Sequence, residues 1–180
     1  MKILPINLTN TKTKYNTQQK NFALFNKNCA TDTVSFQRKD KQITAQQAKE
    51  EFEKIGITTK MLKDGTLELQ SYEPVKHQIK ALSIDENELF KHVTSIKFYA
   101  NFERSNLTST HALKKVGKSV DFAFSQIEET PNLTYVGKDA RYSLSKIKDT
   151  GNLYVGRDVH FEDSQVEDKT KVVYGRSKHE

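Results

Sequence analysis

The sequence predicts a short parallel β-solenoid behind an α+β lead-in, the whole preceded by a disordered N-terminal arm. Three observations predict it. An apolar phrase recurs every 19 or 20 residues over 96–175, two cap-marked helical segments lie upstream, and the first quarter of the 180-residue chain has no period.

The phrase starts at Ile96, Val116, Val136, Val155 and Tyr174. Four residues after each start come Ala100, Val120, Ala140 and Val159, and two further on Phe102, Phe122, Tyr142 and Phe161. Leu107, Ile127, Ile147 and Val166 form another column, and Val93, Leu113, Leu133, Leu153 and Val172 precede the starts. Alternation of period two is brief in each turn, which predicts one short strand per coil with two side chains inward, stacked in parallel. Gly117, Gly137 and Gly156 stand just before that strand, where a sharp turn is expected. Ser105, Ser125, Ser145 and Ser164 form a serine ladder among inward positions. Buried hydroxyls need partners, so these are expected to bond turn backbone in neighbouring coils. Four equivalent serines point to structure and not to a nucleophile.

Upstream, residues 1–42 are rich in Asn, Thr, Gln and Lys with scattered apolar islands, and are expected to be a disordered basic arm. Residues 43–95 read as an α/β capping segment, which a solenoid needs over its first coil. Thr44 and Gln47 have capping-box spacing, Ala45, Ala48, Phe52 and Ile55 share a helical face, and Gly56 ends it. Glu50, Glu51 and Glu53 are expected to face solvent. Lys63-Asp64-Gly65 predicts a hairpin between 57–62 and 66–72. Ser83, with Glu86 three residues on, is expected to cap a second helix bearing Ile84, Leu89, Phe90 and Val93. Solenoid coils then occupy 96–175 and a short tail 176–180.

The net charge of +6 is carried by the arm: residues 1–43 hold eight Lys/Arg against two Asp/Glu. No basic-aromatic pattern accompanies these charges, so nucleic acid is not the expected partner. Cys29 is the single cysteine, which excludes an internal disulfide. No apolar run approaches a membrane span and the N-terminus is too polar for a signal peptide, so the protein is expected to be cytoplasmic, with unconventional export left open. The three Asn-Leu-Thr sequons at Asn7, Asn106 and Asn132 are then chance matches.

The run Ala140-x-Tyr142-x-x-Ser145-x-Ile147 resembles the strand-and-turn pattern of leucine-rich repeats, and Asn132-Leu133 and Asn152-Leu153 look like the lead-in to the following coil. Over about 93–175 the chain is similar to bacterial leucine-rich-repeat-like and receptor-L-domain-like solenoids. It departs from them in placing Ser where the ladder Asn stands and Ala or Val where the first Leu stands, and in its short coils. The resemblance implies a right-handed parallel solenoid with a protein- or ligand-binding role.

Outward strand positions should form an exposed sheet face with three columns. Tyr99, Ser119, Asp139 and Asp158 make the first, Asn101, Asp121, Arg141 and His160 the second, and Glu103, Ala123, Ser143 and Glu162 the third. Five carboxylates against one arginine make this face acidic although the chain is basic. The candidate binding residues are therefore Asp121, Asp139, Arg141, Asp158, His160 and Glu162, facing a cationic or polar protein or peptide. The alternative is a structural protein that associates with itself through an open C-terminal coil edge, blunted by Arg176 and Lys178. His160 with Asp158 and Arg141 can be drawn as a catalytic cluster, but an open sheet does not exclude water, so no enzyme activity is expected. The histidines have no metal-ligand spacing and no phosphate loop is present, so neither metal nor cofactor is expected.

Overall fold

Helix α1 (Ala45–Lys54) begins at Thr44, whose side chain accepts from the Gln47 N–H while Gln47 reaches back to the Thr44 N–H. It ends at Gly56, whose φ of +79° a glycine adopts without strain. The computed structural model describes residues 42–74 and 79–175, with the backbone of 178–179. All but the last residue of the arm over 1–42, and most of the tail over 176–180, lie outside these. Strands β1 (Thr59–Met61) and β2 (Leu67–Leu69) form the expected hairpin, its turn held by the Asp64 carboxylate on the Thr66 N–H at 3.0 Å.

The second helix, α2 (Glu86–Phe90), is capped by Asp85, which accepts from the Asn87 N–H, and not by Ser83. Both residues satisfy a capping pattern, and Ser83 is engaged elsewhere. Its N–H and hydroxyl donate to the Glu51 carboxylate at 2.8 and 2.6 Å. Glu51 therefore does not face solvent: it is 3% exposed.

The coils carry two short strands each, where one was expected. A first sheet runs β1-β2-β3-β5-β7-β9-β11, with β3 (Val93–Ile96), β5 (Lys115–Val116), β7 (Tyr135–Val136), β9 (Leu153–Val155) and β11 (Val172–Tyr174). A second runs β4-β6-β8-β10-β12, with β4 (Ala100–Asn101), β6 (Val120–Asp121), β8 (Ala140–Arg141), β10 (Val159–His160) and β12 (Lys178–His179). Apart from the hairpin, every pairing in both sheets is parallel. A third side is marked by bridges from Ser109 to Glu129 to Asp149. The two-residue strands β4 to β8 and β10 each show one inward residue, too few to display a period of two. From β3 to β11 only β9 shows that period, with Leu153 and Val155 inward. The solenoid reaches back before residue 96, because β2 pairs with β3 and Tyr72 bridges to Ala100. Residues 42–180 are one compact unit.

The core is a stack. Tyr72, Phe102, Phe122, Tyr142 and Phe161 follow one another at centroid spacings of 5.1 to 5.3 Å, close to the ~4.8 Å separation of paired strands. The glycine column serves this spacing and not a left-handed turn. A Cβ on Gly137 would be driven into the Gly117 carbonyl, and one on Gly117 into that of Lys97. At Lys97, in the first coil, the chain tolerates a side chain.

Each coil turns after its second-sheet strand through Phe102–Ser105 and its equivalents. The Ser105, Ser125, Ser145 and Ser164 N–H groups donate to the carbonyls of Phe102, Phe122, Tyr142 and Phe161 at 2.9 to 3.1 Å. The third residues, Arg104, Phe124, Leu144 and Asp163, have φ of 52° to 55°, so these are type II turns without glycine. Because the turn follows the strand at once, Ala123 and Ser143 are buried, contrary to the expectation that they face outward.

Candidate functional site

The outer face of β4, β6, β8 and β10 holds a groove of about 390 Å³. Its floor includes Tyr99, Asn101, Ser119, Asp121, Asp139, Arg141, Asp158 and His160, two outward positions from each of four coils. Five of the six candidate binding residues are thus brought together. The sixth, Glu162, lines an adjoining hollow of about 530 Å³ that shares Arg141 and His160 with the groove.

Bonds across and within coils hold several of these side chains. Arg157 grips Asp139 with two bonds, Nε at 2.9 Å and a terminal nitrogen at 2.8 Å, and the Ser119 hydroxyl donates to the same carboxylate at 3.2 Å. Burial alone would raise the Asp139 pKa, but Arg157, the Asp158 N–H and Ser119 outweigh it and hold the carboxyl below its ordinary range. Asp121 accepts from the Ala123 N–H at 2.8 Å and lies 3.9 Å from the Arg141 guanidinium. The Ser143 hydroxyl, 2.7 Å away, pulls the Glu162 carboxyl down most, to about 2, helped by its own N–H and by His160 at 3.2 Å.

Two groove residues were missed from sequence. Arg157 follows Gly156 and reads as a turn residue, yet its side chain folds back over the sheet. Glu73, which borders the groove, belongs to the lead-in and so to no column. With them the groove holds four carboxylates and two guanidinium groups, a mixed surface and not a uniformly acidic one.

The serine ladder is stacked in the coils, with Ser105, Ser125 and Ser145 buried and Ser164 half-buried. The Ser105 hydroxyl accepts from the Leu107 N–H at 3.0 Å, within its own turn. Those of Ser125, Ser145 and Ser164 make no hydrogen bond among the described residues, so bonds to neighbouring coils are not what places them. A second ladder, Thr110, Thr130 and Thr150, is fully buried one corner further on and was not anticipated.

Among the described residues no group of three or more His, Cys, Asp or Glu side chains is placed to hold a metal ion, and no helix is long and apolar enough to cross a membrane. No protein-family model matches the chain, and no curated protein or solved structure shows a significant match to it.

Proposed function

We propose that this protein is a non-enzymatic binding module that receives an extended, cation-bearing peptide segment of a partner protein across the β4–β6–β8–β10 face. The observation that carries the reading is the groove itself, in which Asp139 and Arg157 are held by cross-coil hydrogen bonds and Asp121 by the Ala123 N–H before any partner arrives. Side chains fixed in advance lose less entropy on binding, which favours recognition by a small surface. The carboxylates disfavour a phosphate backbone and favour Lys or Arg. Membership of the leucine-rich-repeat-like solenoids is part of the same proposal and rests on the strand-and-turn likeness around Tyr142.

An immobilised peptide array tests it. The variant combines Asp158→Lys with Asp121→Asn, the latter keeping an oxygen for the Ala123 N–H. Wild-type protein should select peptides enriched in Lys and Arg, and the variant should bind them at least tenfold more weakly. Equal binding by both would overturn the reading. Self-association along the β11 edge is the second reading, supported by Val173, 62% exposed on that strand. Sedimentation showing a monomer at high concentration would remove it.

A further inference from the structure

The column of turn residues Arg104, Phe124, Leu144 and Asp163 breaks two local rules together. Type II turns favour Gly or Asn at this left-handed position, and bulky side chains there are strained. Large apolar side chains also belong inside, yet Phe124 is 44% and Leu144 47% exposed. They stand in successive coils as one continuous ridge beside the groove. Leu144 and Asp163 form part of the wall of the 530 Å³ hollow that Arg141 and His160 share with it.

The ridge also has polarity. Arg104 stands at one end, with its guanidinium 5.4 Å from the Phe124 ring centre. Asp163 stands at the other and makes no ion pair among the described residues. Three coil steps at ~4.8 Å separate the ends by roughly 14 Å, and four residues of extended chain cover about 13 Å. Side chains two apart in an extended chain point the same way, so three of them can face this row.

We infer that the ridge is the anchor subsite for a partner strand running along the solenoid axis, with oppositely charged residues two positions to either side of a central apolar residue. The acidic residue meets Arg104, the apolar one covers Phe124 and Leu144, and the basic one meets Asp163. This rests on the proposal that the adjoining groove binds a peptide segment, and it names the chemistry of that segment. Complementary charge at both ends selects such a strand over one with like charges.

The test uses the full chain and three synthetic fluorescent peptides, read by anisotropy. One carries acidic, leucine and basic residues at alternate positions, one has both outer residues basic, and one replaces the leucine by serine. Wild-type protein should prefer the first about tenfold over each of the others. Arg104→Glu should reverse the charge preference and favour the doubly basic peptide. Leu144→Asn, a residue that accepts the local backbone, should weaken the first peptide about tenfold without lowering the melting temperature. Equal binding of the first two peptides to wild-type protein, or no reversal in Arg104→Glu, overturns the inference. If Leu144→Asn leaves binding intact while the groove variant abolishes it, the ridge falls and the groove stands. If the ridge variants act as expected and the groove variant changes nothing, the groove reading is the one that fails.

Discussion

In the lead-in each buried carboxylate has particular partners. Glu51 takes the Ser83 N–H and hydroxyl and the Lys54 ammonium, and Glu86 takes the Tyr72 hydroxyl. In the coils the buried hydroxyls of Ser125, Ser145, Thr110, Thr130 and Tyr142 find no partner among the described residues. The lead-in occurs once, so its residues can be matched individually across 14 or 32 positions of chain. A coil must fit the coil above and the coil below by the same contacts, so shape in the stack decides the residue before hydrogen bonding does. Specific polar pairs close the end of the solenoid, and steric repetition extends it.

The sharpest way to break that comparison is at the glycine column. Gly137→Ala sets a methyl against the Gly117 carbonyl, which is backbone and cannot rotate away. We expect a loss of about 4 kcal/mol, at the upper end for single substitutions, read by thermal or denaturant unfolding. Lys97→Ala, at the same column position in the first coil, should stay within about 0.5 kcal/mol. Equal effects would mean that coil contact does not set the column.

Glu51 tests the lead-in. Burial opposes its charge, but bonds from Lys54 and Ser83 prevail and hold the carboxyl at about 2. Its ordinary unfolded value is about 4.3, so the folded state favours the charged form. That stabilisation is complete above the unfolded value and is lost as pH falls toward 2. Glu51→Gln should therefore cost about 2 kcal/mol at pH 7, a gap that narrows as the pH approaches 2 in urea titrations. A gap independent of pH would show that charge is not what holds Ser83.

These two residues also show what the sequence could reveal. The apolar inward columns were legible, because each recurs at a fixed offset in four coils. Glu51 was not, since it lies in a run of similar charges and its partner is 32 residues away. The type II turns were hidden because Arg104, Phe124, Leu144 and Asp163 include neither glycine nor asparagine, the usual markers. The threonine ladder escaped for a related reason. It spans three coils and ends where Lys169 takes the place and a 3-10 turn, Lys169–Lys171, begins. Of the candidate site, the strand positions were readable from period, whereas Arg157 and Glu73 enter the groove through side-chain direction and chain path.

The two buried tyrosines divide along the same line. Both have pKa values raised by burial, but Tyr72 donates to Glu86 and Tyr142 donates to no described residue. Tyr72→Phe should cost about 2 kcal/mol, because it leaves a carboxylate unpaired. Tyr142→Phe extends the stack already made by Phe122 and Phe161 and should gain about 1 kcal/mol. Matching losses in calorimetry would show that the coil interior satisfies its hydroxyls after all.

The smallest expected effect falls on the serine ladder. Ser105 lies in the first coil, beside the lead-in, and its hydroxyl receives the Leu107 N–H. Ser105→Ala should cost about 1 kcal/mol, the usual net worth of one hydrogen bond. Ser145 occupies the equivalent place two coils on, 2% exposed, with no such bond. Its contribution is then the space that a small side chain fills at the turn, which alanine fills nearly as well. Ser145→Ala should change stability by less than about 0.5 kcal/mol in either direction. A bulkier valine at the same position should cost more than alanine, since an added methyl must press on coils at fixed spacing. If alanine proves as costly at Ser145 as at Ser105, the hydroxyl makes a bond in solution, and hydrogen bonding rather than shape places serine in every coil.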